Sequence, residues 1–141
     1  MREDAVLLDT SIAVYALGAA DRRRDSCRDF LQRAASGEFR AYASVEMVQE
    51  LVHHRLRRLG DRRGAAADGR SLSAACTLLR FDHEVLELSL DLIERVPTIR
   101  GRDAVHAATA IAYGIERIAS TDKAFDNLPG LIRIDPTDTA S

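Results

Sequence analysis

Two short apolar runs in this chain lead into acidic residues: Leu7-Leu8 is followed by Asp9, and Ala119 by Ser120-Thr121-Asp122. Two more carboxylates have suitable positions, Glu50 in a helix after the second predicted strand and Asp103 in the first turn of the helix before the fourth. If the four converge, they cannot all stay ionised alone: at an effective dielectric near 20, two carboxylates about 4 Å apart repel by roughly 4 kcal/mol. Such a group must protonate, spread apart or hold cations, and an all-oxygen donor set favours Mg²⁺ or Mn²⁺ over zinc. A hard cation with open water positions activates water and neutralises phosphate oxygens, which is the requirement for in-line phosphodiester hydrolysis. Taken singly, each acid has a plainer use. Asp9, Thr10 and Ser11 suit helix caps, Asp103 a helix N-terminus, Asp122 a turn and Glu50 a solvated face. Their joint placement is what points to chemistry.

The elements that must position them read as follows. Ala5-Val6-Leu7-Leu8 is a continuous apolar run of buried-strand type, stopped by Asp9-Thr10-Ser11, after which a helix is predicted over Ile12–Leu17. A second helix is expected over Asp25–Ala35, with Cys27, Phe30, Leu31 and Ala34 on one side, and a strand over Phe39–Ala43, with Arg40 and Tyr42 on its other face. Ser44 is placed to cap a helix carrying Val48, Leu51, Val52, Arg55 and Leu59, interrupted at Gly60. The segment from Arg55 to Arg70 has six Arg against two Asp, and Gly64 to Gly69 reads as a flexible joint or a distorted helix. Ser71–Ala75 is expected to be helical and Thr77–Phe81 a strand, and Asp82 opens a helix closed by Pro97. An Ala-rich helix follows Gly101-Arg102-Asp103, with Asp103, Ala107, Ala110 and Gly114 as a narrow stripe for close packing. Strands at Ile115–Ser120 and Leu131–Ile134 and a tail from Pro136 complete the reading.

Alternating strands and helices predict a layered α/β domain with a mostly parallel central sheet and helices on both faces. In such a sheet, ligands bind in the crevice at the carboxyl ends of the strands, near the point where strand order reverses. Asp9 and Asp122 would share that crevice. At 141 residues the chain is expected to be a single domain over 1–141, with its core at about 5–135.

The pattern Leu8-Asp9-Thr10-Ser11, then Ser44-Val-Glu-Met-Val-Gln-Glu50-Leu51, then Arg102-Asp103-Ala-Val-His-Ala-Ala-Thr-Ala110, then Ser120-Thr121-Asp122-Lys-Ala-Phe125-Asp126 resembles the PIN-domain ribonucleases. It is most similar to the VapC toxins of toxin–antitoxin pairs. The resemblance implies a three-layer α/β fold in which Asp9, Glu50, Asp103 and Asp122 form an acidic pocket, with Asp126 an outer member. It also implies that Asp9 and Asp103 are the main Mg²⁺ ligands, with Mn²⁺ able to substitute, and that Glu50 and Asp122 complete the charge or act through water. Thr10, Ser11 and Thr121 match hydroxyl positions that orient those carboxylates. RNA is the implied substrate, a small VapB antitoxin the implied partner, and a homodimer the implied assembly.

Composition excludes several other classes. A formal charge of −2 gives no global pull toward nucleic acid or anionic membrane, leaving only a local basic patch, and 5% aromatic residues with no Trp make stacking platforms for a single strand inconspicuous. Cys27 and Cys76, far apart and outside any C-x-x-C pair, indicate neither a disulfide framework nor a thiolate zinc site, which fits reducing cytoplasm. Met1-Arg2-Glu3-Asp4 is not the lead of a signal peptide, and the longest charge-free run, Ala104–Ile115, is well short of the roughly 20 residues that span a bilayer. There is no G-x-S-x-G elbow and no Gly-rich phosphate loop.

Four rival readings remain. Glu50-x-x-His53 and Asp103-x-x-His106 have the ligand spacing of a di-iron carboxylate bundle, which requires four long helices. A haloacid-dehalogenase-like phosphatase usually has a second Asp two residues after its nucleophile, where this chain has Ser11. A receiver-like module would use Lys123 but lacks an adjacent acidic pair after the first strand. A catalytically inactive PIN-fold binding module is the fourth. His53, His54, His83 and His106 otherwise read as surface or packing residues, and Arg22-Arg23-Arg24 as a solvated helix edge. The basic residues could instead meet an acidic antitoxin.

Overall fold

Four apolar residues in a row, Ala5–Leu8, make β1, and each is at most 3% exposed because the strand is covered on both faces. Residues 4–138 are described by the computed structural model; residues 1–3, in the opening tetrapeptide, and 139–141, the end of the expected tail, lie outside it. Along the chain follow α1 (Thr10–Ala16), α2 (Arg22–Ala35), β2 (Arg40–Ser44), α3 (Val45–Leu59), α4 (Arg62–Ala75), β3 (Thr77–Leu79), α5 (His83–Arg95), α6 (Gly101–Ala112), β4 (Arg117–Ala119), a 3-10 turn (Lys123–Phe125) and β5 (Ile132–Ile134).

All strand pairs are parallel, in the order β3-β2-β1-β4-β5. The chain first builds leftward from β1 through β2 to β3, then returns to the other side of β1 for β4 and β5. The order therefore reverses at β1, whose Leu8 sits opposite Ala119 of β4. The crevice beyond the carboxyl ends of these two strands is the switch point of the sheet.

Two cores sandwich the sheet. Ala5 and Leu7 face one with Tyr42, Ile118 and the buried sides of α5 and α6, while Val6 and Leu8 face the other with Ala41, Ala43, Ile12, Phe30, Met47 and Leu51. The expected alternation in β2 is thus between two cores rather than core and solvent, and Tyr42 is only 7% exposed. This five-stranded parallel sheet rules out the four-helix di-iron bundle.

The Arg-rich segment corrects the sequence reading. Arg62–Ala75 is one regular helix, capped by Asp61 accepting from the Gly64 amide, neither a flexible joint nor a distorted helix. A Cβ on Gly69 would lie 2.6 Å from Val52 Cγ2, so this glycine lets α3 and α4 approach closely. Gly60, with φ of +67°, ends α3 in the left-handed conformation that suits glycine. Ser44 caps α3 as expected, accepting from the Met47 amide at 3.0 Å. Arg22-Arg23-Arg24 is the first turn of α2; Asp21 accepts from the Arg24 amide, and the Arg23 guanidinium stacks over Tyr15. No helix among the described residues is long and apolar enough to cross a membrane.

Candidate active site

Asp9 leaves β1 at the switch point, its amide donating to the Ala119 carbonyl of β4 at 2.9 Å. Although it occupies the N-cap position of α1, its side chain makes no cap hydrogen bond. The carboxylate turns instead toward the crevice, where Oδ2 accepts from Ser11 Oγ at 2.9 Å and Ser120 Oγ at 2.7 Å. Both hydroxyls address one oxygen, and Oδ1 stands 4.0 Å from the imidazole of His106.

Glu50 projects from the second turn of α3 and is tightly held. Its Oε1 accepts from Thr10 Oγ1 and lies 3.0 Å from His106 Nε2, while Oε2 accepts from Arg102 at 3.3 Å. Burial pushes this carboxyl up, but the hydrogen bonds from His106 and Thr10, the charge of His106 and the Arg102 bond prevail and hold it at about 2. Burial likewise favours neutral His106, yet the Glu50 bond and the charges of Asp9, Glu50 and Asp103 raise it above the usual histidine value.

Asp103 sits in the first turn of α6 without capping it. Its Oδ2 is buried and has no hydrogen-bond partner. Burial, then the charges of Asp122 and Asp9, push the carboxyl up to about 6, with His106 and Arg100 opposing weakly. A buried carboxylate oxygen without a donor is costly. Here it shares a cleft of about 640 Å³ with Asp9 and Glu50.

The sheet and helices thus bring Asp9, Glu50 and Asp103 to one cleft, together with Thr10, Ser11 and Thr121. Asp122 is exposed at the rim, where Oδ1 accepts from the Ala124 amide and caps the 3-10 turn; its charge still bears on Asp103. Asp126 does not join the group. Its two oxygens are engaged by Arg133 at 2.7 and 3.2 Å, and Arg133 also donates to the Ser120 carbonyl. Among the hydroxyls, Ser11 orients Asp9 as expected and Thr10 holds Glu50. The third differs: Ser120 supplies the hydroxyl to Asp9, whereas Thr121 contributes its amide, donating to Ser11 Oγ at 3.2 Å.

His106 corrects the reading of the histidines as surface or packing groups. It is 2% exposed, and its Nδ1 lies 3.3 Å from Ser44 Oγ, so it ties the cap of α3 to the acidic cleft. The available signal was its place three residues after Asp103, on the same side of a helix.

Among the described residues, no three His, Cys, Asp or Glu side chains form a ready cage for a metal ion. Mg²⁺ does not need one, since it keeps several waters and usually takes one or two carboxylates. The orphaned Asp103 oxygen and Asp9 Oδ1 are hard donors on the acidic side of a cleft also lined by Arg57, Arg58 and Arg102. They fit such an ion better than zinc or a soft metal.

The PIN-domain sequence profile matches residues 6–131. The chain belongs to the PIN-domain family, in its VapC branch. Ribonuclease VapC7 of Mycobacterium tuberculosis is 37% identical over 134 residues, which cover 93% of this chain and 91% of that protein. Among solved structures, VapBC2 from Rickettsia felis, bound to a DNA fragment from its promoter, superimposes with a TM-score of 0.74 at 18% identity, covering 93% of this chain and 98% of that one. Mycobacterium tuberculosis VapC20, described as a sarcin-ricin loop cleaving toxin, does so at 0.69 and 21% identity, covering 84% and 90%. The three-layer fold of this PIN domain is theirs.

Proposed function

We propose that this chain is an endoribonuclease that depends on Mg²⁺, with Mn²⁺ able to substitute, and the toxin of a VapBC pair restrained by a VapB-type antitoxin. The observation that carries the metal dependence is Asp103: a buried, unpartnered carboxylate oxygen, with a carboxyl raised to about 6, beside Asp9 and Glu50. Proton or cation must relieve that charge, and near neutral pH the proton is mostly gone. The 37% identical relative, a ribonuclease, supports RNA as the substrate, and the VapBC structures that share the fold support the antitoxin.

Asp9 and Asp103 would hold the ion, with Glu50 and Asp122 acting through water. Bound there, a hard divalent cation supplies the charge that activates an attacking water and neutralises the phosphate oxygens. The protein's part is preorganisation. Ser11 and Ser120 fix Asp9 Oδ2 and so aim Oδ1 into the cleft. His106, Thr10 and Arg102 keep Glu50 ionised and stationary, so it can accept a hydrogen bond from water without taking its proton permanently.

A homodimer is proposed as well, on the exposed apolar side of α5, where Leu86, Leu90 and Ile93 follow i, i+4, i+7 spacing at 41, 46 and 44% exposure. Sedimentation equilibrium would give a dimer that Leu90→Glu dissociates. For the nuclease, purified protein should cleave labelled RNA in Mg²⁺, stop in chelator, and be inactive as folded Asp9→Asn or Asp103→Asn. Cleavage that persists in those variants would refute the mechanism. For the toxin, expression should arrest growth, and co-expression of a small neighbouring gene product should relieve it.

A further inference from the structure

The Arg-rich end of α3 has no role in the chemistry so far, yet it shares the acidic cleft. Glu50, His54 and Arg58 recur every fourth residue and so follow one side of the helix, rising about 6 Å per step away from the acids. His53 and Arg57 form the adjacent row, and all four basic residues line the cleft with Asp9, Glu50 and Asp103. The floor is anionic and this wall is cationic.

Neither Arg57 nor Arg58 makes a salt bridge among the described residues, and both are exposed. Their neighbour Arg55 behaves differently. It pairs with Asp68 of α4 at 2.9 Å and donates to the Leu17 carbonyl, which is a structural use. His54 lines the same wall, with its Nδ1 buried. Burial and the charges of Arg58, Arg55 and Arg57 hold His54 below the usual histidine range, so the wall's positive charge rests on the two arginines.

We infer that this side of α3 is a phosphate track, on which Arg57 and Arg58, with His54, grip the backbone of a single RNA strand next to the phosphate lying over the acidic floor. The inference rests on the nuclease reading and extends it to substrate positioning. A strand whose scissile phosphate lies above Asp9 and Asp103 carries its next phosphates out of the cleft, and the wall is contiguous with that exit. Guanidinium groups suit phosphate because they offer several donors in a fixed plane. With a net charge of −2, affinity for a polyanion must come from such a local surface.

The test is fluorescence anisotropy of a labelled single-stranded RNA oligonucleotide with the full chain in chelator, across a salt series, alongside cleavage kinetics in Mg²⁺. Arg57→Gln/Arg58→Gln should weaken binding at least tenfold at low salt and reduce the slope of log K against log salt by about 1.4, near 0.7 for each phosphate no longer neutralised. It should raise KM by a similar factor and leave kcat within twofold. Arg62→Gln/Arg63→Gln on α4 makes the same charge change away from the cleft and should alter neither. Equal losses in both double variants, or an unchanged salt slope, would overturn the inference. So would retained RNA affinity with lost binding to polyglutamate, which would make the wall a surface for an acidic protein. A wild type that grips RNA through these arginines in chelator but never cleaves it in Mg²⁺ would leave the track standing and remove the nuclease reading instead.

Discussion

The imidazole of His106 lies 3.0 Å from the carboxylate of Glu50, bridging two helices that start 56 residues apart at their first members, Val45 and Gly101. Glu50 is held down at about 2 and His106 is raised, so each stabilises the other's charge. Glu50, lowered, contributes stability that is complete above its unfolded value near 4.5 and lost as pH falls toward 2. His106, raised, contributes stability that is complete below its unfolded value near 6.5 and lost as pH rises through its folded value. Urea unfolding should therefore show His106→Asn costing about 2 kcal/mol near pH 6, the scale of a hydrogen bond to a charged group, and less at pH 9. A cost that grows toward pH 9 would contradict the pairing.

Asp103 has the opposite linkage. Its carboxyl is raised to about 6, so the folded state binds the proton more tightly than the unfolded chain, and stability falls as pH climbs from about 4 through 6. In chelator, Asp103→Asn should melt above wild type at pH 7.5, with the gap closing by pH 4. Adding Mg²⁺ should reverse the order by raising only the wild-type melting temperature. Equal melting at pH 7.5 in chelator would show that the carboxylate is not under electrostatic strain.

Ser120 acts on the site through Asp9. Ser120→Ala deletes the 2.7 Å hydrogen bond at a fully buried position while changing little volume. Removing such a supporting hydrogen bond costs roughly 10- to 100-fold in metal affinity or activity. Steady-state kinetics should show a fall of about tenfold in kcat with KM nearly unchanged, and Thr121→Val, which keeps the amide bond to Ser11, should cost less. The reverse ranking would restore Thr121 as the orienting hydroxyl.

Gly69 tests the packing beneath the basic wall. A helical Gly→Ala change usually gains up to about 1 kcal/mol, but here the new Cβ would meet Val52 Cγ2 at 2.6 Å. Gly69→Ala should therefore lower stability by about 1 kcal/mol in urea unfolding. Combination with Val52→Ala should cost less than the two single changes added together.

What the sequence made legible was local. Ala5–Leu8 is an unbroken apolar run, Ser44 stands where a cap must stand, and Gly60 ends a helix, each within a few residues of the feature it sets. Order among the acids was also readable, because Asp9 follows a strand and the parallel sheet brings strand ends together. Pairings across the fold were not. Nothing near His106 indicates Glu50 as its partner, and the resemblance points to the Thr121 hydroxyl where the fold uses that of Ser120, its neighbour at the end of β4. Asp126 looked like one more acid because Arg133, its partner, lies in β5. Helix α4 was obscured by Gly64 and Gly69, whose low propensity is outweighed by the Asp61 cap and the close packing on α3.

On the proposed reading, Asp9 and Asp103 jointly form a seat for a hard divalent ion. Electron paramagnetic resonance titration of Mn²⁺ into the purified protein at pH 7.5 measures that seat without any substrate. Saturable binding by wild type, weakened at least tenfold in Asp9→Asn and in Asp103→Asn, is the predicted result. Binding that is undiminished in both variants, or absent from the wild type, would show that these two carboxylates do not hold the ion.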